Sequence, residues 1–276
     1  MDTTEWKWNT NDGLEMYSKA WIPSIKAKGV ICLVHGLGEH IGRYQADGEA
    51  LAEGGYILAG FDQRGFGKSG GRRGHTPSPE AYFDDIDSFL GEIARRYPDQ
   101  PRFLYGMSMG ATLVLAYTPL CQPAVAGVIA VAPGLKSALE EQKLKVLLVK
   151  LLGKILPTLT FNSGVDAQKL SRDPRVADEY INDPLVHPLV TAAWGVTMLR
   201  VIDLIIENAQ RFPKPLLLMH GTKDELNYPS GSLMFAELAP KDKVTLMMWD
   251  GFKHELHTDP EKEEVFKAMI DWLNKR

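Results

Sequence analysis

Cysteine is almost missing from the 276-residue chain, with Cys32 and Cys121 the only two. That excludes a disulfide framework, and both lie in apolar runs where they read as small buried hydrophobes. A basic surplus is missing too. Lys and Arg total 31 against 35 Asp and Glu, a net charge of −4, which leaves nothing to neutralise a phosphate backbone and excludes a dedicated nucleic-acid binder. No uncharged apolar run approaches the roughly 20 residues needed to span a bilayer. The first residues, Met1 to Trp6, lack the basic and apolar regions of a secretory leader. Internal repeats and low-complexity tracts are absent. A soluble, cytoplasmic protein is expected. What is present is ordinary globular composition, 45% hydrophobic and 24% charged, with enough length to bury a core unaided by disulfides or metals.

The first thirty residues predict a hairpin. Glu5–Thr10 and Leu14–Trp21 flank Asn11-Asp12-Gly13, where Asp-Gly supplies the positive φ angles of a tight turn. Short apolar runs then recur at Gly29–Val34, Tyr56–Phe61, Arg102–Tyr105, Val125–Val131, Pro215–Met219 and Val244–Trp249. Most lack polar alternation, as expected of strands covered on both faces. Helical patterns fill the gaps at Tyr44–Gly54, Pro79–Tyr97, Ala111–Leu120, Ser230–Leu238 and Pro260–Lys275. Strand–helix alternation of this kind predicts an α/β fold with a mostly parallel sheet and helices on both faces. Between Pro133 and Asn208 no convincing strand occurs, only helical pattern and turn signals such as Asp173-Pro174 and Asp183-Pro184. The expected organisation is therefore a core of residues 1–132 and 209–276 with a helical cap inserted at 133–208. Within the cap, Glu140–Leu156 carries Lys143, Lys150 and Lys154 on one narrow stripe among Leu, Val and Ile. Packing on the core, lining of an acyl channel and transient contact with lipid all fit that pattern.

One motif carries chemistry. Arg102 to Tyr105 is a strand, Gly106-Met-Ser108-Met-Gly110 follows, and Ala111 opens a helix. A serine on a sharp strand-to-helix turn sits at strained dihedrals, and glycines two residues to either side let the backbones approach. Its oxygen then projects above the carboxyl edge of the sheet, beside a helix amino end that favours developing negative charge. A serine nucleophile needs a base, and the base needs an orienting acid. His254 lies in the loop after the last strand, where an imidazole can reach over the sheet edge, and His257 is its competitor. Asp224 follows the buried run Leu216–Met219 and is the expected acid, a turn or helix-cap role being the alternative. Asp62 and Asp250 fit less well. The order Ser108, Asp224, His254 is that of the α/β-hydrolase triad. The oxyanion requires two backbone donors. These are expected from Met109 and from the Gly-rich loop His35-Gly-Leu37-Gly-Glu39-His40, most plausibly at Leu37. His35 and His220, each ending a strand before a glycine, read as structural hydrogen-bonders.

On these residues the chain resembles the monoacylglycerol lipase and lysophospholipase group of the α/β-hydrolases over nearly its whole length. The resemblance rests on the segments His35–Tyr44, Asp62–Gly71, Gly106–Gly110, Ser171–Pro174, Asp183–Leu185 and His220–Asp224. The Gly38-Glu39-His40 extension is the most discriminating. The resemblance implies an α/β-hydrolase fold with a cap shaping an acyl tunnel. It also implies hydrolysis of single-chain carboxylic esters, foremost a monoacylglycerol, through an acyl-serine. A lysophospholipase, a broad short-chain carboxylesterase and a non-catalytic binding protein on the same fold are the alternatives. It further implies head-group contacts at Glu39, Arg43, Tyr180 and His257, although Glu39 and Arg43 equally suit the holding of the oxyanion loop. Three positions depart from the group's pattern: Glu225 and Asn227 beside the expected acid, and Phe66 where a histidine is common.

Other motifs fail on spacing. Gly65-Phe-Gly67-Lys-Ser-Gly70 matches a dinucleotide fingerprint, but Asp62-Gln-Arg separates it from its strand, and Pro77 and Pro79 block an immediate helix. As a phosphate-binding loop it has Asp62 in place of the first glycine. His254-Glu-Leu-His257 is one residue short of zinc-protease spacing. The expected partner is a small lipid ester; no cofactor, metal or nucleic acid is expected.

Overall fold

The computed structural model describes residues 1–137 and 143–276, with side chains from 146 onward in the second stretch. In chain order the strands are β1 (Asp2–Asn9), β2 (Glu15–Ile22), β3 (Val30–Val34), β4 (Ile57–Phe61), β5 (Arg102–Met107), β6 (Gly127–Val131), β7 (Thr160–Asn162), β8 (Leu189–Thr191), β9 (Leu216–Gly221) and β10 (Val244–Trp249). The helices are α1 (Gln45–Glu53), α2 (Pro79–Arg96), α3 (Met109–Cys121), α4 (Lys143–Ile155), α5 (Pro174–Asn182), α6 (Ala192–Asn208), α7 (Pro229–Leu238) and α8 (Lys262–Leu273). Eight strands form one sheet in the order β1-β2-β4-β3-β5-β6-β9-β10. The β1–β2 hairpin and the β2–β4 pair are antiparallel, and all later pairs are parallel. The fold is that of an α/β-hydrolase.

Alternation along the strands explains the layers. In β3, Val30, Cys32 and Val34 face one core with Phe89 of α2, Val114 of α3, Val201 of α6 and Phe235 of α7. Ile31 and Leu33 face the other, with Leu51 of α1 and Phe266 and Met269 of α8. All five residues of β3, β4 and β6 are buried, so an uninterrupted apolar run is what a doubly covered strand requires. The parallel strands carry their carboxyl ends to a common edge, where the loops after β3, β5, β9 and β10 meet.

Two expectations change. The segment between Pro133 and Asn208 does hold strands: β7 and β8 pair antiparallel, Phe161 opposite Val190. At three residues each they are too short for any periodicity to register. Cys32 is buried, but Cys121 is exposed, because it ends α3 just where Gln122 turns left-handed at φ 46°. Of the helix expected over Glu140–Leu156, α4 is described from Lys143 to Ile155; residues 140–142 and the Lys143 side chain lie outside the described residues. Leu147, Leu148, Leu151 and Ile155 of α4 stand exposed, Ile155 at 65%. Among the described residues no helix is long and apolar enough to cross a membrane.

Candidate active site

Ser108 sits between β5 and α3 at φ 54°, ψ −113°, a conformation that side-chain-bearing residues avoid unless their surroundings enforce it. The surroundings are visible. Its N–H donates to Val131 O at 2.9 Å, and its carbonyl accepts from Thr112 N at 2.9 Å. A Cβ on Gly106 would fall 2.6 Å from Ala111 N, and one on Gly110 would overlap the Val34 carbonyl. Only glycine at both positions lets α3 pack this close to β5 and β3.

The serine is met by residues from two distant loops. Ser108 Oγ lies 2.9 Å from His254 Nε2, and His254 Nδ1 lies 2.7 Å from Asp224 Oδ2. Asp224 follows β9 and His254 follows β10. Asp224 is itself held: Oδ1 accepts from the amides of Leu226 and Asn227 at 2.9 and 3.0 Å. His220 Nε2 faces both Asp224 Oδ2 (3.0 Å) and the Asn227 carbonyl (2.9 Å). Two acceptors at Nε2 fix the proton there, so His220 Nδ1 accepts from Ser232 Oγ at 2.7 Å. Burial works against ionisation of Asp224, but the charge of His254 and the hydrogen bonds from His220 and His254 hold the carboxyl well below its usual range. Burial also opposes the imidazolium of His254; Asp224, with Glu255 and Glu39 beyond it, outweighs burial and raises the histidine above its ordinary range. In this arrangement Nε2 can take the hydroxyl proton, and the resulting imidazolium has a buried anion behind it.

Above the serine, the loop after β3 is pinned from three sides. His35 Nδ1 donates to Gly36 O at 2.8 Å, and its Nε2 accepts from Gln63 N at 2.8 Å. Burial pushes His35 down to about 4, so it stays neutral. Gly36 N–H donates to Glu39 Oε1 at 2.6 Å, and a Cβ on Gly36 would lie 3.4 Å from Ser108 Cβ. His187 N–H donates to Gly38 O at 3.0 Å, and His40 Nε2 is 2.8 Å from Asp183 Oδ2. Among the described residues, no protein acceptor takes the amide hydrogens of Leu37 or Met109.

The four residues implied for a head group do gather. Arg43 reaches Glu39 at 2.7 Å and lies over the Tyr180 ring at 5.0 Å. His257 stacks on Tyr44 at 4.8 Å, and Tyr44 OH donates to Glu39 Oε1 at 2.7 Å. Glu39 and Arg43 are thus engaged in holding the loop, and Arg43 has a partner that sequence reasoning missed, Glu255, at 2.8 and 3.0 Å. The only sequence signal for it was its adjacency to His254. The three departures are also accounted for. Glu225 points away to Lys169 at 2.9 Å, Asn227 Nδ2 donates to Ala132 O at 2.8 Å, and Phe66 stacks on His187 at 5.0 Å.

Residues 25–261 match the family described as Serine aminopeptidase, S33. A monoglyceride lipase of Rattus norvegicus is 30% identical over 265 residues, 95% of this chain and 86% of its own. The chain belongs to the monoacylglycerol lipase group of the α/β-hydrolases. The solved monoacylglycerol lipase of Paleococcus ferrophilus superposes on this hydrolase with a TM-score of 0.84 at 35% identity, covering 99% of this chain and 98% of its own. An uncharacterized abhydrolase domain-containing protein of Dictyostelium discoideum is 35% identical over 97% of this chain, which spans 28% of that relative's length.

Proposed function

We propose that this hydrolase cleaves monoacylglycerols or similar single-chain carboxylic esters through an acyl-serine intermediate. The observation that carries the reading is the hydrogen-bonded series Ser108, His254, Asp224 at the amino end of α3. His254 takes the Ser108 proton as the oxygen attacks the ester carbonyl, then returns it to the departing alcohol. A water then gives its proton to His254 and attacks the acyl-serine, releasing the fatty acid and restoring Ser108. The Leu37 and Met109 amides, uncommitted among the described residues, stabilise the oxyanion. The alcohol moiety is assigned to Tyr180 and His257 beside Glu39 and Arg43, and residues 133–208 act as the cap over the acyl chain. Glu39 and Glu255 are both bound to Arg43, which leaves neither free to hold the ammonium of a peptide amino terminus and favours an ester over an aminopeptidase substrate.

The exposed apolar side chains of α4 occupy an arc of about 100° with Lys150 and Lys154 beside it. That combination suits transient seating on an anionic lipid surface. A panel of monoacylglycerol, lysophospholipid, nitrophenyl ester and aminoacyl anilide tests the reading. Preference for monoacylglycerol is expected, and preference for the lysophospholipid or the anilide would overturn the substrate class. Leu147→Ser with Leu151→Ser is expected to weaken sedimentation with phosphatidylglycerol vesicles; unchanged binding would refute the interfacial role of α4.

A further inference from the structure

The residue after His254 is built into the same machinery. Glu255 is 4% exposed, and both of its carboxylate oxygens grip Arg43, Oε1 at 2.8 Å and Oε2 at 3.0 Å. Oε2 also accepts from Thr258 Oγ1 at 3.2 Å, and the Glu255 amide donates to Leu170 O at 2.7 Å. The Arg43 Nη1 that meets Glu255 Oε1 also donates to Glu39 Oε2, and the other oxygen of Glu39 accepts from Gly36 N–H beside Ser108. A continuous run of charge-assisted hydrogen bonds thus connects the residue following His254 to the residue preceding Leu37. The two loops it joins are about 210 residues apart in sequence and share no other side-chain ion pair among those described.

The bridge holds two carboxylates and one guanidinium, and every partner of the two carboxylates is a donor. It therefore carries one net negative charge inside the protein, next to the imidazole that must become positive in the transition state. The other groups around that imidazole are Asp224 from the β9 loop, His257 and Ser108; burial, opposed by Glu255 and Glu39, lowers His257 below its ordinary range. An ordinary structural salt bridge would be neutral. This one is not.

We propose that Glu255 is a positioning residue for ester hydrolysis. Through Arg43 it fixes the loop carrying His254 against the loop carrying the Leu37 amide, and its charge makes the bridge net negative. The inference rests on the hydrolytic reading of Ser108 and His254. Glu255→Gln keeps the side-chain shape and removes the charge. It is expected to lower kcat on a nitrophenyl ester about tenfold with KM within about twofold. It should also move the acid limb of kcat/KM down by roughly half to one pH unit, because an imidazolium with less negative charge beside it loses its proton more readily. Glu255→Asp keeps the charge and breaks the two-pronged grip; kcat should fall while the acid limb stays in place. A folded Glu255→Gln enzyme with wild-type kcat and an unmoved limb overturns the proposal. Should that variant fail to fold, wild-type kcat in Glu255→Asp overturns it instead. Ser108→Ala run alongside separates the two claims, since activity surviving there refutes the nucleophile and not the bridge.

Discussion

Gly110 offers the sharpest test of why the serine stands where it does. Its φ is not in the left-handed region, so alanine at 110 meets no backbone objection. The objection is steric. An added Cβ would overlap the Val34 carbonyl and lie 2.7 Å from His35 O. Both neighbours are backbone atoms of the β3 strand and its loop, which cannot rotate away as a flexible side chain would. The amino end of α3 must therefore retreat by about 1 Å, and overpacking of this kind costs about 2–3 kcal/mol. The retreat also carries Ser108 and the Met109 amide off His254, and a misplacement of about 1 Å lowers turnover on the order of 100-fold. Gly91 in α2 is the control, because a Cβ there meets nothing within 4 Å. Gly91→Ala should stabilise by roughly 0.5–1 kcal/mol with activity unchanged. Denaturant unfolding and nitrophenyl ester turnover, measured on both variants, decide the matter. A Gly110→Ala enzyme as stable and as active as wild type would refute the close-packing account of the turn.

Ser108→Ala should lower turnover by roughly four orders of magnitude or more with an unchanged melting temperature; retained turnover would mean another nucleophile. The pH dependence has a definite sign. His254 acts as base only when neutral and is held above its ordinary range, chiefly by Asp224 against the opposing effect of burial, so kcat/KM should fall as pH drops through a value above that of a free histidine. A profile flat down to pH ~5 would contradict this. Asp47 is fully buried and takes a long hydrogen bond from Tyr105 OH at 3.3 Å, and among the described residues its Oδ2 has no partner. Burial, opposed by the Tyr105 bond, raises its carboxyl well above the usual range. The native state therefore holds that proton more tightly than the unfolded chain, and stability falls as pH rises from the unfolded value through the native one. Asp47→Asn should remove this loss and stabilise the protein by about 1–3 kcal/mol at pH ~8, with a smaller gain at pH ~5; an equal effect at both would show that ionisation is not involved.

The central strands were legible because burial on both faces forces uninterrupted apolar runs, and β3, β4 and β6 are such runs. Ser108, Asp224 and His254 were legible for a related reason. Ser108 and Asp224 follow buried strands and His254 follows the half-buried edge strand β10, all parallel, so the topology delivers each to the same sheet edge without any knowledge of side-chain contacts. Arg43 was singled out in sequence, but its pairing with Glu255 lies outside what such reasoning reaches, since the two are 212 positions apart. His220 was legible as a hydrogen-bonder, but not that its acceptor is Asp224 itself. Cys121 misled because an apolar neighbourhood in sequence says little about the last turn of a helix, where the next residue already leaves the core. Strands β7 and β8 stayed hidden because three residues complete only one alternation.

Treatment with a long-chain fluorophosphonate, followed by intact mass and peptide mapping, tests the nucleophile most directly. One adduct per chain is expected, carried by Ser108, with loss of ester turnover in step with labelling and no adduct on Ser108→Ala. An adduct on a different residue, or full turnover after Ser108 is blocked, would contradict the account.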